Sequence, residues 1–200
     1  MNTTRASLIQ RIKNLEDSRS WGEFDSIYRP LLRRFAAARK LDRIDAEEVA
    51  QECMAAIAEH INGFEYQPCK GTFRGWLLTM VNNRINSRLR KREIVTADTD
   101  QLDGLVSPLK GPAELFELFW MEEHLRACME AVHAETPEQS FAAYEMYVLK
   151  GLPAEEVCAA TGLKPNLLYQ IKFRVNKRVL QKFRELVGTE EADAWLSEYR

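Results

Sequence analysis

Apolar residues recur through most of the chain at the three- and four-residue spacing of amphipathic helices. The two-residue alternation that indicates strands is almost absent. The pattern therefore predicts an all-α protein. Asp45 followed by Glu48 has the form of a capping box and predicts a helix that continues to about His60. On that helix the positions expected to face inward are Val49, Cys53, Ile57 and Ile61, and those expected to face outward are Glu48, Gln51, Glu52 and Glu59.

A second strong helical pattern extends over residues 73–92 and follows a loop segment that contains two glycines and a proline. Its predicted buried stripe consists of Leu77, Val81, Ile85 and Leu89. A separate basic stripe is formed by Arg84, Arg88 and Lys91, while Trp76 and Asn83 share a third face. A tryptophan beside amides could stack on unpaired bases. The pattern leaves open whether Trp76 does so or belongs to the core.

Charge is distributed unevenly, although the formal net charge of the chain is only −2. Residues 66–92 carry seven cations and no carboxylate, and residues 157–184 repeat this composition. Between the two lies an acidic segment, 93–112, in which Pro108, Gly111 and Pro112 disfavour helix. Two basic surfaces in an acidic chain indicate two contacts with a polyanion, and nucleic acid is the natural choice.

The second basic segment has the pattern of a helix-turn-helix. A short helix with Pro153 in its first turn and Gly162 at its end precedes a longer one. The longer helix has Leu168, Ile171, Val175 and Val179 on its inner face. Its opposite face carries Asn166, Tyr169, Gln170, Phe173, Arg174 and Lys177. Such a helix suits the major groove of DNA. A solvated basic helix in a plain bundle is the alternative.

Other functional classes have little support in the sequence. The four cysteines and three histidines are scattered, so no zinc site is predicted and the thiols should be reduced. No nucleophile–base pair or carboxylate cluster indicates an enzyme, and no cofactor is implied. The N-terminal residues lack the apolar core of a signal peptide, and no apolar run could span a bilayer. We therefore expect a cytoplasmic protein.

These segments together resemble the bacterial RNA polymerase sigma factors of the extracytoplasmic-function (ECF) type, in the sigma-70 family. The stretch "GTFRGWLLTMVNNRINSRLRKR" is similar to the family pattern of F-x-x-W-L, an asparagine seven residues after the tryptophan (Asn83) and closing arginines. The resemblance implies a sigma-2-like domain at 1–92, an acidic linker at 93–112, a sigma-4-like helix-turn-helix domain at 113–187 and a short tail at 188–200.

The resemblance implies an alternative sigma factor that binds core RNA polymerase and directs transcription from promoters. Its partners would be promoter DNA and the clamp helices and flap of the polymerase. A separate anti-sigma protein is a further partner that the resemblance allows. Residues implied in polymerase binding are Asp45, Glu48, Gln51 and Glu52. Residues implied in strand opening at the −10 element are Lys70, Thr72, Phe73, Arg74, Trp76, Asn83, Arg84, Arg88 and Lys91. Residues implied at the −35 element are Asn166, Tyr169, Gln170, Lys172, Phe173, Arg174 and Lys177.

The chain also departs from the family pattern. Asn82–Asn83 replaces the usual Arg-Asn, Asn86 replaces an aspartate, and Lys164 with Pro165 stands where a small polar cap is common. The fold and role of the family therefore transfer to this chain more directly than the promoter sequence that its members recognise. A stand-alone helix-turn-helix regulator is the competing interpretation, but it would leave residues 70–92 without a role.

Overall fold

The computed structural model describes residues 8–64, 73–96, 111–187, 192, 193 and 197, without the side chains of 93–96. Its helices are α1 (Ser18–Ala38), α2 (Arg43–His60), α3 (Phe73–Thr96), α4 (Pro112–Ala134), α5 (Glu138–Tyr144), α6 (Ala154–Thr161) and α7 (Pro165–Val187). The described residues contain no strand, which confirms the all-α prediction. None of these helices is both long and apolar enough to cross a bilayer.

The chain divides into two compact units, Leu8–Glu123 and His124–Arg200. The first unit includes the initial turns of α4, which the sequence analysis assigned to the second domain. The predicted domain limits remain predictions, and most of the predicted linker, residues 97–110, lies outside the described residues.

Helix α2 begins one turn earlier than the sequence pattern predicted. Asp42 is the N-cap, and its Oδ1 accepts hydrogen bonds from the backbone N–H groups of Ile44 and Asp45, both at 2.9 Å. The expected capping box at Asp45 and Glu48 is therefore wrong. The N–H of Asp45 and the guanidinium of Arg92 lower the pKa of Asp42, because both stabilise its carboxylate.

The predicted buried stripes are confirmed in the first unit. Val49, Cys53, Ile57 and Ile61 are fully buried, and so are Leu77, Val81 and Ile85. Leu89 is only half-buried, because it lies in the last turns of α3. These stripes fix which faces of α2 and α3 point outward.

An aromatic cluster anchors the start of α3 in the first unit. The ring of Phe73 lies 5.7 Å from Tyr28 and 6.4 Å from Trp120, measured between centroids. Phe116 of α4 packs in the same way against Phe35 of α1, at 5.1 Å. Because Phe116 and Trp120 are both fully buried, the first turns of α4 form part of this core.

The second unit contains the predicted helix-turn-helix. Helix α6 ends at Gly162, whose φ of 71° is in the left-handed region that favours glycine. Val157 and Leu168 pack together from the two helices, and the predicted inner face of α7 is buried. Tyr144 of α5 donates a hydrogen bond of 2.7 Å to Asn176 Oδ1, which ties α5 to α7. Helix α5 continues as a π-helix at Glu145–Leu149.

Three cysteines lie within the described residues, and all of them are free thiols. Burial raises the pKa of Cys53 to about 12 and that of Cys128 to about 12. Because only the thiolate reacts readily, these two cysteines act as packing residues at neutral pH. Cys69 lies outside the described residues.

Candidate nucleic-acid interface

Arg88 of α3 is held by three carboxylates of α2. Its guanidinium lies 3.0 Å from Asp45 and also pairs with Glu48 and Glu52. The carboxylates of Glu48 and Glu52 raise the pKa of Arg88 above its ordinary value, because they stabilise the cation. Its side chain is 23% exposed, whereas those of Glu48 and Glu52 are 52% and 47% exposed, so water and salt partly screen these pairs.

Two neighbouring arginines of α3 also face α2. Arg84 Nε lies 3.9 Å from Glu52, and Arg92 pairs with Asp42 and with Asp45. The predicted basic stripe of Arg84, Arg88 and Lys91 is separate from the buried stripe of α3, and its two arginines have carboxylate partners on α2 that were not predicted. Lys91 is exposed. Local spacing could not reveal these ion pairs, because the carboxylates precede the arginines by 32 or more positions. The shortest separation is that from Glu52 to Arg84.

The face of α3 opposite Arg84 and Arg88 is mostly polar, with Arg90 as the cation among its described side chains. It consists of Gly75, Thr79, Asn83, Asn86 and Arg90, all exposed, and we call it the α3 outer face. These positions follow one another every three or four residues, so they form one continuous stripe along the helix. Amide side chains of this kind can donate to and accept from the edges of bases.

The start of α3 combines buried and partly accessible groups. Phe73 is 7% exposed and belongs to the aromatic cluster, whereas Trp76 is half-buried, with its ring 5.4 Å from Phe64 and 5.5 Å from Phe73. The guanidinium of Arg74 lies over the ring of Trp120, at 5.0 Å, and pairs with Glu117. Trp76 thus has both a packed side and an accessible side. Lys70 and Thr72 lie outside the described residues.

The outer side of α2 carries the residues expected to bind the polymerase. Glu48, Gln51 and Glu52 are exposed, and Asp45 is half-buried. At the start of the same helix lies a hollow of about 580 Å³, lined by Arg33, Arg43, Ile44, Glu47 and Glu48. Ile44 is 69% exposed within it. Ile44 was not among the residues predicted from the sequence, although an isoleucine set off from the inner stripe of α2 is a signal that could have found it.

Helix α7 presents every residue that was expected to meet the −35 element. Asn166, Tyr169, Gln170, Lys172, Phe173, Arg174 and Lys177 are all exposed. Across the part of the chain that the structure describes, no ion pair engages Lys172, Arg174 or Lys177. Lys182 and Arg184 differ, because they pair with Glu135 and Asp193. The available positive charge of α7 therefore extends from Lys172 to Arg178, ahead of the paired cations.

Helix α5 and its π-helical extension add a residue that sequence reasoning missed. The ring of Tyr147 contacts that of Tyr169 edge-on, at 6.0 Å, and Lys172 Nζ lies 5.3 Å above Tyr147. Nothing in the local sequence pattern indicates this contact, because Tyr147 lies outside the helix-turn-helix itself.

The geometry defines an all-α protein with an amide-rich helix face in one unit and a helix-turn-helix in the other. Residues 26–94 match the family model described as sigma-70 region 2. The ECF RNA polymerase sigma factor SigE of Mycolicibacterium smegmatis is 27% identical over 145 residues, covering 72% of this chain and 54% of that protein. The chain is therefore similar to sigma-70 family proteins of the ECF type, through region 2 and through this relative. It spans about half the length of this relative.

The ion pairs between Arg88 of α3 and the carboxylates of α2 lead to a prediction about stability. Replacing Arg88 with methionine keeps most of the aliphatic stem but removes the cation that Asp45, Glu48 and Glu52 share, and this increases the repulsion among them. We expect the free energy of unfolding to fall by about 1 kcal/mol at low salt and by less in 1 M NaCl, because salt screens the repulsion. Urea unfolding followed by circular dichroism measures both values.

The matched control is Arg90→Met on the exposed side of the same helix. A change of less than about 0.5 kcal/mol is expected there. An equal loss in the two variants, or a loss at Arg88 that does not depend on salt, would contradict the role given to the carboxylates.

Proposed function

We propose that this protein is an alternative sigma factor that binds core RNA polymerase and recruits it to promoters through two DNA contacts. The observation that carries the proposal is the match of residues 26–94 to sigma-70 region 2, because all of α2 and most of α1 and α3 fall within it. The polymerase supplies the chemistry of RNA synthesis, and this chain supplies recognition.

The polymerase contact is proposed to centre on Ile44. The carboxylates of Glu48 and Glu52 are already engaged with Arg88. An exposed isoleucine in a hollow rimmed by Arg33, Arg43 and Glu47 offers an apolar anchor with a charged rim. Interfaces are typically stabilised by such a desolvated centre, while rim charges set orientation.

The −10 contact is proposed to use the α3 outer face and Trp76. A flipped or unstacked base costs a few kcal/mol to extract, so stacking and hydrogen bonds must offset that cost. The accessible side of Trp76 offers a stacking surface, and Asn83 and Asn86 offer amides. Lys91 and Arg90, both exposed, can contact the phosphates of the strand.

The −35 contact is proposed to use α7 in the major groove of duplex DNA. The exposed cations Lys172, Arg174 and Lys177 supply attraction to the phosphates. The short α6 and the turn at Gly162 hold α7 as helix-turn-helix proteins hold their recognition helix.

Reconstituted transcription tests the proposal. Core polymerase plus this protein should yield defined transcripts from genomic DNA of the source bacterium, and neither component should do so alone.

Trp76→Ala should lower strand opening about tenfold with duplex binding retained, because a stacking surface is lost. Arg174→Ala should lower −35 binding about tenfold. Permanganate footprinting measures opening, and a mobility-shift assay measures binding.

The control for both variants is the thermal unfolding of the isolated protein. If Trp76→Ala unfolds the first unit, its ring serves the core and not the DNA. Tight, sequence-specific duplex binding without polymerase would instead favour the stand-alone regulator.

The exposed Ile44 leads to a separate prediction about the affinity for core polymerase. Ile44→Ser should weaken binding to core polymerase about tenfold, because it removes the apolar anchor of the interface. Fluorescence anisotropy with labelled protein and core enzyme measures the dissociation constant.

The matched control is Leu15→Ser, since Leu15 is another exposed apolar residue of the first unit at 56% exposure. An unchanged dissociation constant for Ile44→Ser, or an equal loss for Leu15→Ser, would remove the proposed anchor.

A further inference from the structure

Two aromatic rings stand exposed one turn apart on α7. Tyr169 is 49% exposed and Phe173 is 68% exposed. Together with Gln170 and Arg174 they line a shallow surface depression of about 480 Å³. Single exposed apolar residues are common on protein surfaces, but two large rings side by side indicate a surface that another molecule covers.

The depression is partly preorganised. Tyr147 contacts the ring of Tyr169 edge-on, at 6.0 Å, and Lys172 Nζ lies above Tyr147. Tyr147 belongs to the π-helix that precedes the helix-turn-helix, so Tyr169 is supported from outside its own helix. A supported ring loses less freedom when it binds, and this favours affinity.

The chemistry of these four side chains matches the edges of particular bases. In the major groove, thymine presents a C5-methyl group, adenine presents a donor and an acceptor to glutamine, and guanine presents two acceptors to arginine. Because adenine pairs with thymine, one A·T pair offers both the amide partner and the methyl group. Rings next to Gln170 can therefore contact the methyl of the same pair or of the adjacent one.

We propose that Tyr169 and Phe173 select thymine methyl groups in the −35 element, with Gln170 reading an adjacent adenine and Arg174 a guanine. The preferred element then contains A·T pairs next to a G·C pair. This inference rests on the proposed function and adds the class of sequence that is recognised. Duplex DNA is the occupant that the charges favour, because Lys172, Arg174 and Lys177 surround the rings and no ion pair within the described residues engages them.

Replacing thymine with uracil tests the claim directly, because it removes the methyl group and leaves base pairing unchanged. Promoters are first identified by sequencing transcripts made by the reconstituted holoenzyme. Synthetic templates then carry uracil at the −35 element only. We expect promoter binding by the wild-type holoenzyme to fall about fourfold for each contacted methyl group that is lost.

Variants show which side chains are responsible. Phe173→Ala or Tyr169→Ala should weaken binding to the thymine template and remove much of the difference in affinity between the two templates. The protein substitution and the loss of the methyl group form a double-mutant cycle, and a direct contact requires them to be coupled. Lys177→Ala is the matched control. It should weaken binding to both templates by the same factor, because a phosphate contact does not sense a methyl group.

The outcomes separate this inference from the proposed function. If the wild-type holoenzyme binds both templates equally, or if the preference for thymine persists in both aromatic variants, the inference is overturned while the sigma function stands. If no promoter-specific transcript appears on ordinary DNA, both are overturned, and the exposed rings serve another partner.

Discussion

The contacts between Arg88 and the carboxylates of α2 fix how α3 is rotated about its own axis. One arginine meets three acidic side chains, so that face of α3 must point toward α2. The opposite, amide-rich face is then left outward, where it can meet a nucleic acid. The same contacts neutralise part of the acidic surface of α2, and the hollow around Ile44 lies at the start of that helix. The proposed −10 contact depends on this rotation.

The second unit follows a different principle. Its paired cations, Lys182 and Arg184, lie toward the end of α7, whereas Lys172, Arg174 and Lys177 surround two exposed aromatic rings near its start. General attraction to phosphates and discrimination among bases are thus provided by adjacent side chains of one helix. In the first unit, the proposed DNA contact depends more on amides and stacking than on charge, as suits a separated strand.

The sequence predicted the helices and their buried stripes well, because helical periodicity is a local property. Val49, Val81 and Val175 could each be assigned to the core from spacing alone. The errors arose where local patterns were ambiguous or where contacts were distant. Asp42 and Asp45 lie three residues apart, and either could cap a helix, so the pattern pointed to the wrong one. The partners of Arg88 precede it by 36 to 43 positions, and no spacing rule reaches that far. Tyr147 was missed for the same reason.

The central claim is that α3 turns Arg84, Arg88 and Arg92 toward α2 and Asn83 and Asn86 toward the promoter. Site-specific photocrosslinking in the open complex with core polymerase tests it most directly, using a benzophenone side chain at Asn83 in one protein and at Arg84 in another. The account predicts a crosslink from position 83 to the non-template strand of the −10 element, and from position 84 a crosslink to protein only. A strong DNA crosslink from position 84 and none from position 83 would contradict it.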